Sequence, residues 1–214
     1  MISKAWSLRY ALMRAQLGLE ETVTHLTSST GSLSDAIAKG LEVYRKELTK
    51  TIFFTGAAMV PTLNSKATTS NSGDSAVDRL LMRCMPRASL RSIFSGDVVA
   101  FNSPLAPGGG DENIMVRRVA AVEGDELITD DPADASFTIP EGRCWVLADN
   151  EELKPPDVID SRTFGPLPVE NIVGRIVYYV RPNDHGVVEN SKPAMAADAA
   201  VLEAELDLEK LRES

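Results

Sequence analysis

No stretch of this 214-residue chain approaches the roughly 20 consecutive apolar residues that a membrane-spanning helix needs. No transmembrane helix is therefore expected within it. There are only two cysteines, Cys84 and Cys144, too few for a disulfide framework or a cysteine-based metal cluster. Histidine is equally scarce, and neither His25 nor His185 stands near a Ser–Asp pair in sequence. That argues against a Ser-His-Asp site. Basic residues are outnumbered, and the net charge of −9 argues against a nucleic-acid binder. No repeat recurs at a fixed period. No cofactor or metal is expected.

The chain does hold enough residues for one mixed domain with extensions, and its 43% apolar content is ordinary for a globular protein. The first 19 residues carry Lys4, Arg9 and Arg14 and no acid. Trp6, Tyr10, Met13 and Leu17 repeat at helical spacing and predict one apolar face. Two readings stay open for this segment: a basic targeting or membrane-surface helix, and an ordinary first helix packed on a core or partner. Residues 27–34 are rich in Ser, Thr and Gly and read as a loop. Ser32 and Asp35 have capping-box spacing. Ile37, Leu41, Tyr44 and Leu48 then mark an amphipathic helix over about 35–49. From about 195, Val201, Leu202, Leu206 and Leu208 alternate with acids, which predicts an acidic terminal helix. It is either solvated or a docking helix for a partner.

Between these ends the pattern is of short strands and turns. Phe54 to Leu63 reads Phe-Thr-Gly-Ala-Ala-Met-Val-Pro-Thr-Leu, a strand end and a sharp turn. Gly56 permits close backbone approach, and Pro61 fixes the exit. Arg79–Arg83 is a strand candidate. Gly96-Asp97 is a turn before the buried run Val98–Phe101. Ile114 to Ala120 alternates as a strand before the Gly124-Asp125 turn. Cys144-Trp145-Val146 is a further strand, ending at Asp149-Asn150. Asp160-Ser161-Arg162 and Gly165 follow, and Val173–Tyr178 closes the series.

Taken in order, these boxes resemble those of the signal peptidase I and mitochondrial inner membrane peptidase family. Gly56, Met59, Pro61, Thr62 and Leu63 match its nucleophile box. Gly96–Phe101 resembles its third box, and Arg118, Val119, Ala121, Gly124 and Asp125 match its lysine box. Pro140-Glu141-Gly142, Trp145-Val146 and Asp149-Asn150 match the next, with Ala148 where glycine is usual. Asp160-Ser161-Arg162, Gly165 and Pro168 match the last. The ordered set covers roughly residues 50–180. Family members usually carry an N-terminal anchor, and here an amphipathic, charged segment stands in its place.

The resemblance implies a serine nucleophile, a lysine base and a second serine that orients the lysine. This sequence has Ala58, Arg117 and Val158 at those three positions. Alanine has no nucleophile, and a guanidinium keeps its proton and offers no acceptor. Valine has no hydroxyl to orient anything. The expectation is a mainly antiparallel β fold with N- and C-terminal α-helices and no intact catalytic set. Residues 1–34 form a basic helix and linker, 35–50 an amphipathic helix, 51–182 the β domain and 183–214 an acidic helical tail. Gly56, Ala57, Met59 and Pro61 are the candidate peptide groove and oxyanion region. Asp149, Asn150, Asp160, Ser161 and Arg162 are candidate scaffold residues. Thr55, Ser65 and Lys66 are candidate substitute catalytic groups, and their spacing does not support that role.

Three functions follow as candidates. The first is an inactive binding or assembly subunit of a membrane-associated organellar complex. Its partners are other protein subunits and an extended peptide held by strand addition. The second is a working processing peptidase with a non-standard nucleophile. The third is a peripheral membrane adaptor. The mitochondrion is the expected compartment, with the plastid second.

Overall fold

The computed structural model describes residues 4–28, 32–64, 77–105, 113–128 and 136–213, without the side chains of 4–7 and 213. The predicted roles of Lys4 and Trp6 therefore lie outside the described side chains, and those of Ser65 and Lys66 outside the described residues. Residues Met1–Lys50 with Asp198–Leu206 form one unit, and Thr51–Ala197 with Asp207–Ser214 another.

In the first unit, helix α1 runs Lys4–Ser28 and α2 runs Leu33–Arg45. α1 reaches further than the Ser/Thr-rich composition suggests. The hydroxyls of Thr22, Thr24, Thr27 and Ser28 bond backwards to carbonyls within the helix, so these side chains do not divert the backbone. Ser32 caps α2 as its spacing with Asp35 predicts. Its hydroxyl accepts from the Asp35 N–H, and the Asp35 carboxylate accepts from the Ser32 N–H. α2 stops at Arg45, earlier than predicted, because the chain turns extended at Lys46 and enters a strand at Thr49.

Small residues set the α1–α2 contact. Gly18 and Gly40 meet so closely that a Cβ on Gly40 would lie 1.9 Å from Thr22 Oγ1 and 2.5 Å from the Gly18 carbonyl. Arg14 donates to the Tyr44 carbonyl at 2.6 Å and lies over its ring. Gly18 beside Gly40 and Arg14 beside Tyr44 make the pair antiparallel. Tyr10, on the apolar face read from sequence, donates to Glu205, which also accepts from the Leu48 N–H at 2.8 Å and the Thr49 hydroxyl at 2.7 Å. Burial and then the Glu205 bond push the Tyr10 hydroxyl up to about 12.

In the second unit the strands are β1 (Thr49–Phe54), β2 (Asp78–Cys84), β3 (Val98–Asn102), β4 (Ile114–Val122), β5 (Glu126–Leu127), β6 (Phe137–Thr138), β7 (Arg143–Leu147), β8 (Leu167–Pro168), β9 (Ile172–Arg181) and β10 (Asp184–Val187). The main sheet has the order β1-β2-β9-β3-β4-β7-β8. β9 is long enough that β3 pairs with its first half and β10 with its last four residues. β5 and β6 form a separate ribbon. A short helix α3 (Ser161–Phe164) precedes β8, and α4 (Lys192–Glu205) and α5 (Leu208–Glu213) end the chain. The expected class, mainly antiparallel β with helices at both ends, is the observed one.

Strand alternation sends side chains to two cores. Val98 and Ala100 of β3 pack with Met59, Leu63, Leu80, Met82, Val116 and Ile176. Val99 and Phe101 pack with Val119, Cys144, Val146, Leu167 and Ile172. The two-residue period makes neighbours on one strand serve opposite faces. The tail drawn from 183 is not helical at its start. β10 pairs with β9, Val188 joins the first core, and Asn190 accepts from the Val98 N–H at 2.7 Å. Helix begins only at Lys192.

Two outcomes test this packing. Gly40→Ala should force the helices apart at a cost of about 1–3 kcal/mol, read as lost hydrogen-exchange protection along α1 and α2. Cys144 has no exposed surface, and burial pushes its thiol up to about 12. An alkylating reagent at neutral pH should therefore modify the half-buried Cys84 well before Cys144, and both only after unfolding.

Candidate functional site

Phe54 to Asn64 forms a loop pinned at both ends and in its middle. Gly56 adopts φ +89°, a region that favours glycine, and Asn64 takes φ +51°. The Asn64 amide donates to the Gly56 carbonyl at 2.9 Å and closes the loop. The Asn64 N–H donates to Asp78 at 2.6 Å. Arg181 pairs with the same carboxylate at 3.0 Å and donates to the Thr62 carbonyl at 3.1 Å. The Val60–Pro61 peptide is cis. Met59 and Leu63 are fully buried and anchor the loop in the first core. Of the candidate groove residues, Gly56 is exposed and Ala57 and Ala58 are half-buried, while Pro61 is exposed.

Asn150 holds the turn from the other side. Its N–H donates to the Ala58 carbonyl at 3.1 Å, and its amide to the Ala57 carbonyl at 2.9 Å. Asp149 takes the Thr62 hydroxyl at 2.6 Å and both arms of Arg118, at 2.8 and 2.7 Å. Arg118 also reaches the Thr62 hydroxyl and the carbonyls of Gly96 and Glu189.

Asp160 and Arg162 pair within one turn, at 2.6 Å. Asp160 has no exposed surface, and it accepts from the Arg162 N–H at 3.0 Å and the Ala148 N–H at 3.2 Å. Burial works to raise its carboxyl, but the Arg162 side chain and the two N–H donors outweigh it and hold it below the usual carboxylate range. The buried Ser161 hydroxyl accepts from the Val146 N–H at 2.9 Å. The five candidate scaffold residues thus bind one another's loops through named hydrogen bonds.

Arg117 lies beside this cluster, directly across from Val99 on β3, whereas Arg118 lies across from Val98 on the opposite face. The Arg117 side chain is buried. Its Nε donates to the Ile159 carbonyl at 2.9 Å and its Nη1 to the Val116 carbonyl at 2.6 Å. Burial lowers its pKa, Asp160 opposes that, and Arg162 adds to it. The guanidinium nevertheless stays protonated across the physiological range and has no lone pair to accept a proton. Val158, next to the carbonyl that Arg117 holds, is buried, with 3% exposure. Ala58 contributes a methyl group. Ala58 and Val158 lie on loops and Arg117 on β4, and covalent and hydrogen-bonded steps link Ala58 to Arg117 through Asn150, Asp149, Ala148, Asp160 and Ile159.

Other chemistry is sparse. His185 shares a hydrogen bond with the Tyr178 hydroxyl at 2.7 Å rather than with a serine. Among the described residues no three His, Cys, Asp or Glu side chains group as a metal set. An open depression of about 460 Å³ is bounded by Leu90, Glu141, Arg143 and Glu170 among others, and none of the site residues lines it. Among the described residues no helix is long and apolar enough to cross a membrane. The roles of Thr62, Asn64, Asp78 and Arg181 were not legible from the chain, since the partners that fix this loop lie 8 to 119 residues away in sequence.

No model of a known protein family matches the chain. Individual proteins do. Over 157 residues it is 39% identical to the mitochondrial ATP-independent inner membrane protease subunit 2 of Arabidopsis thaliana, covering 73% of this chain and 70% of the relative. The chain belongs to the mitochondrial inner membrane protease family. It is also 33% identical over 100 residues to mitochondrial inner membrane protease subunit 1 of Homo sapiens, spanning 45% of this chain and 55% of that one. A match of 29% over 109 residues to the probable chloroplastic thylakoidal processing peptidase 2 of Arabidopsis thaliana is less extensive, 40% of this chain and 29% of that protein. The signal-peptidase-like resemblance read from the ordered boxes and the family shown by these relatives agree.

Two substitutions test the site's construction. Asp149→Asn should cost about 2–4 kcal/mol, because Arg118 and Thr62 then keep unmatched polar groups in a partly buried setting. Urea denaturation measures it, and Arg118→Met added to Asp149→Leu should recover part of the loss. For Asp160 the folded carboxyl is depressed, so its contribution is present above the ordinary carboxylate value and lost as pH falls through and below about 3.9. The stability gap between the natural chain and Asp160→Asn should therefore be large at about pH 6 and shrink towards about pH 3.

Proposed function

We propose that this chain is a non-catalytic subunit of a protease assembly associated with the mitochondrial inner membrane. The observation that carries the proposal is Arg117. At the position where the family's boxes place a base, a buried guanidinium holds the carbonyls of Ile159 and Val116. Ala58 and Val158 stand where the nucleophile and the orienting hydroxyl belong. A Ser–Lys mechanism needs a hydroxyl to attack the scissile carbonyl and a neutral amine to take its proton. Neither group stands at these positions, while the hydrogen bonds that shape the surrounding loops are in place.

The compartment is taken from the relatives, which are named as mitochondrial inner membrane protease subunits. Partner subunits are proposed on the same ground. The groove beside Gly56, Ala57, Met59 and Pro61 is proposed to hold an extended peptide along β1, which stands at the edge of the sheet order. In this reading residues 51–197 carry the groove.

Incubation of the purified chain with presequence and signal-like peptides, read by mass spectrometry, decides the matter. The natural chain should be inert. The Ala58→Ser, Arg117→Lys, Val158→Ser variant should cut at a defined site, with a gain on the order of 10⁴-fold or more over background. Site-specific cleavage by the natural chain would mean an active peptidase with another nucleophile and would overturn the proposal.

A further inference from the structure

α1 carries a second apolar stripe that is separate from the face bearing Tyr10, Met13 and Leu17. Leu8, Leu12, Leu19, Val23 and Leu26 are all exposed, Leu8 at 62% and Leu19 at 64%. At 100° per residue their positions fall within about 60° of arc. With Ala15, also exposed, the sequence positions 8, 12, 15, 19 and 26 follow the four–three spacing of a coiled-coil seam. α2 has its own stripe, Leu33, Ile37, Leu41 and Tyr44, with Leu33 at 62% exposure. The α1 stripe is centred roughly 100° around its helix from Gly18 and the α2 stripe roughly 55° from Gly40, in the same rotational sense. In an antiparallel pair that puts both stripes on one side, so the hairpin presents a single apolar face without a charged side chain in it.

We infer that this face pairs with the same face of a second copy of the chain, forming a four-helix bundle about a two-fold axis. Three observations favour a second copy. The first is area. A fully buried aliphatic side chain removes roughly 60–120 Å² from water, so nine that are about half exposed offer on the order of 400 Å². One side of a standard interface contributes about 800 Å², of which a little over half is apolar. The second is charge. The first half of α1 holds Lys4, Arg9 and Arg14, and its second half holds Glu20 and Glu21 with no Lys or Arg. Antiparallel pairing of α1 with its copy lays the basic half along the acidic half. The third is shape, since a register that sets Leu8 against Leu26 also sets the small Ala15 against Leu19. A lipid surface requires neither the seam spacing nor the acidic half.

Sedimentation velocity of the full chain over a wide concentration range tests the inference. The expected species is a dimer, twice the 23.1 kDa of one chain. Leu12→Glu with Leu19→Glu should weaken it by on the order of 10²-fold or more, while Thr24→Glu, on another exposed face of α1, should leave it intact. Circular dichroism keeps the comparison honest by showing that helix content is retained in both variants. A chain monomeric at every concentration overturns the inference, as does a dimer that survives the double change. So does a monomer whose apolar face is taken up only by phospholipid vesicles. The outcome is independent of whether the chain cleaves peptides.

Discussion

Arg118 is the residue on which the arrangement of the loops depends. One guanidinium grips Asp149 with two arms, touches Thr62, and caps the carbonyls of Gly96 and Glu189. These partners come from the Phe54–Asn64 loop, the turn before β3, the end of β7 and the segment after β10. A planar donor fork can hold that many acceptors at once, whereas an ammonium cannot present the same fixed geometry. Because the pair is partly buried, each partner left alone would be a poorly solvated charge. The loops are therefore coupled: each loses a hydrogen bond to Arg118 if it shifts, and parting Asp149 from Arg118 strands both charges.

The same device recurs. Arg175 pairs with Asp97 where both side chains are almost wholly buried, and Asp97 also accepts from the Phe94 and Ser191 N–H groups. Arg181 with Asp78, and Arg162 with Asp160, complete the pattern. Pairs of this kind add little to net stability compared with well-packed apolar groups. What they add here is position. Asp97–Arg175 fixes the turn before β3 against β9, Asp78–Arg181 ties the start of β2 to the end of β9, and Asp160–Arg162 closes its own turn.

Much of this was legible in the chain and some was not. Strand positions followed from short apolar runs between Gly-Asp turns, and the ordered boxes pointed to the fold because each box is a turn or strand end with its own steric demand. Ser32 announced the start of α2 by its spacing with Asp35. The end of α2 was misjudged because Leu48 continues the helical period while belonging to the extended approach to β1. The segment after 182 was misjudged because β10 is only four residues long and polar, and its reason for being a strand is its partner β9. The second stripe of α1 was missed for a related cause. Two apolar faces on one helix dilute each other's periodicity, and only a packed partner distinguishes them. The long-range pairs Asp97–Arg175 and Asp78–Arg181 leave no local trace at all.

The three departures at positions 58, 117 and 158 are best understood as a set. A buried lysine is tolerable when a hydroxyl accepts from it and its proton is easily given up. Remove the hydroxyls and that lysine becomes a buried cation with nothing to bond. Arginine at 117 meets the problem differently. It is longer, it stays charged, and it reaches two backbone carbonyls at 2.9 and 2.6 Å. On the proposed reading the three residues go together: with no hydroxyl at 58 or 158, a buried amine at 117 would lack its partner, and an unmatched buried polar group costs about 1–3 kcal/mol. Arg117 instead ties β4 to the loop that follows residue 157 by holding the Ile159 carbonyl, which in that reading is the work of a scaffold.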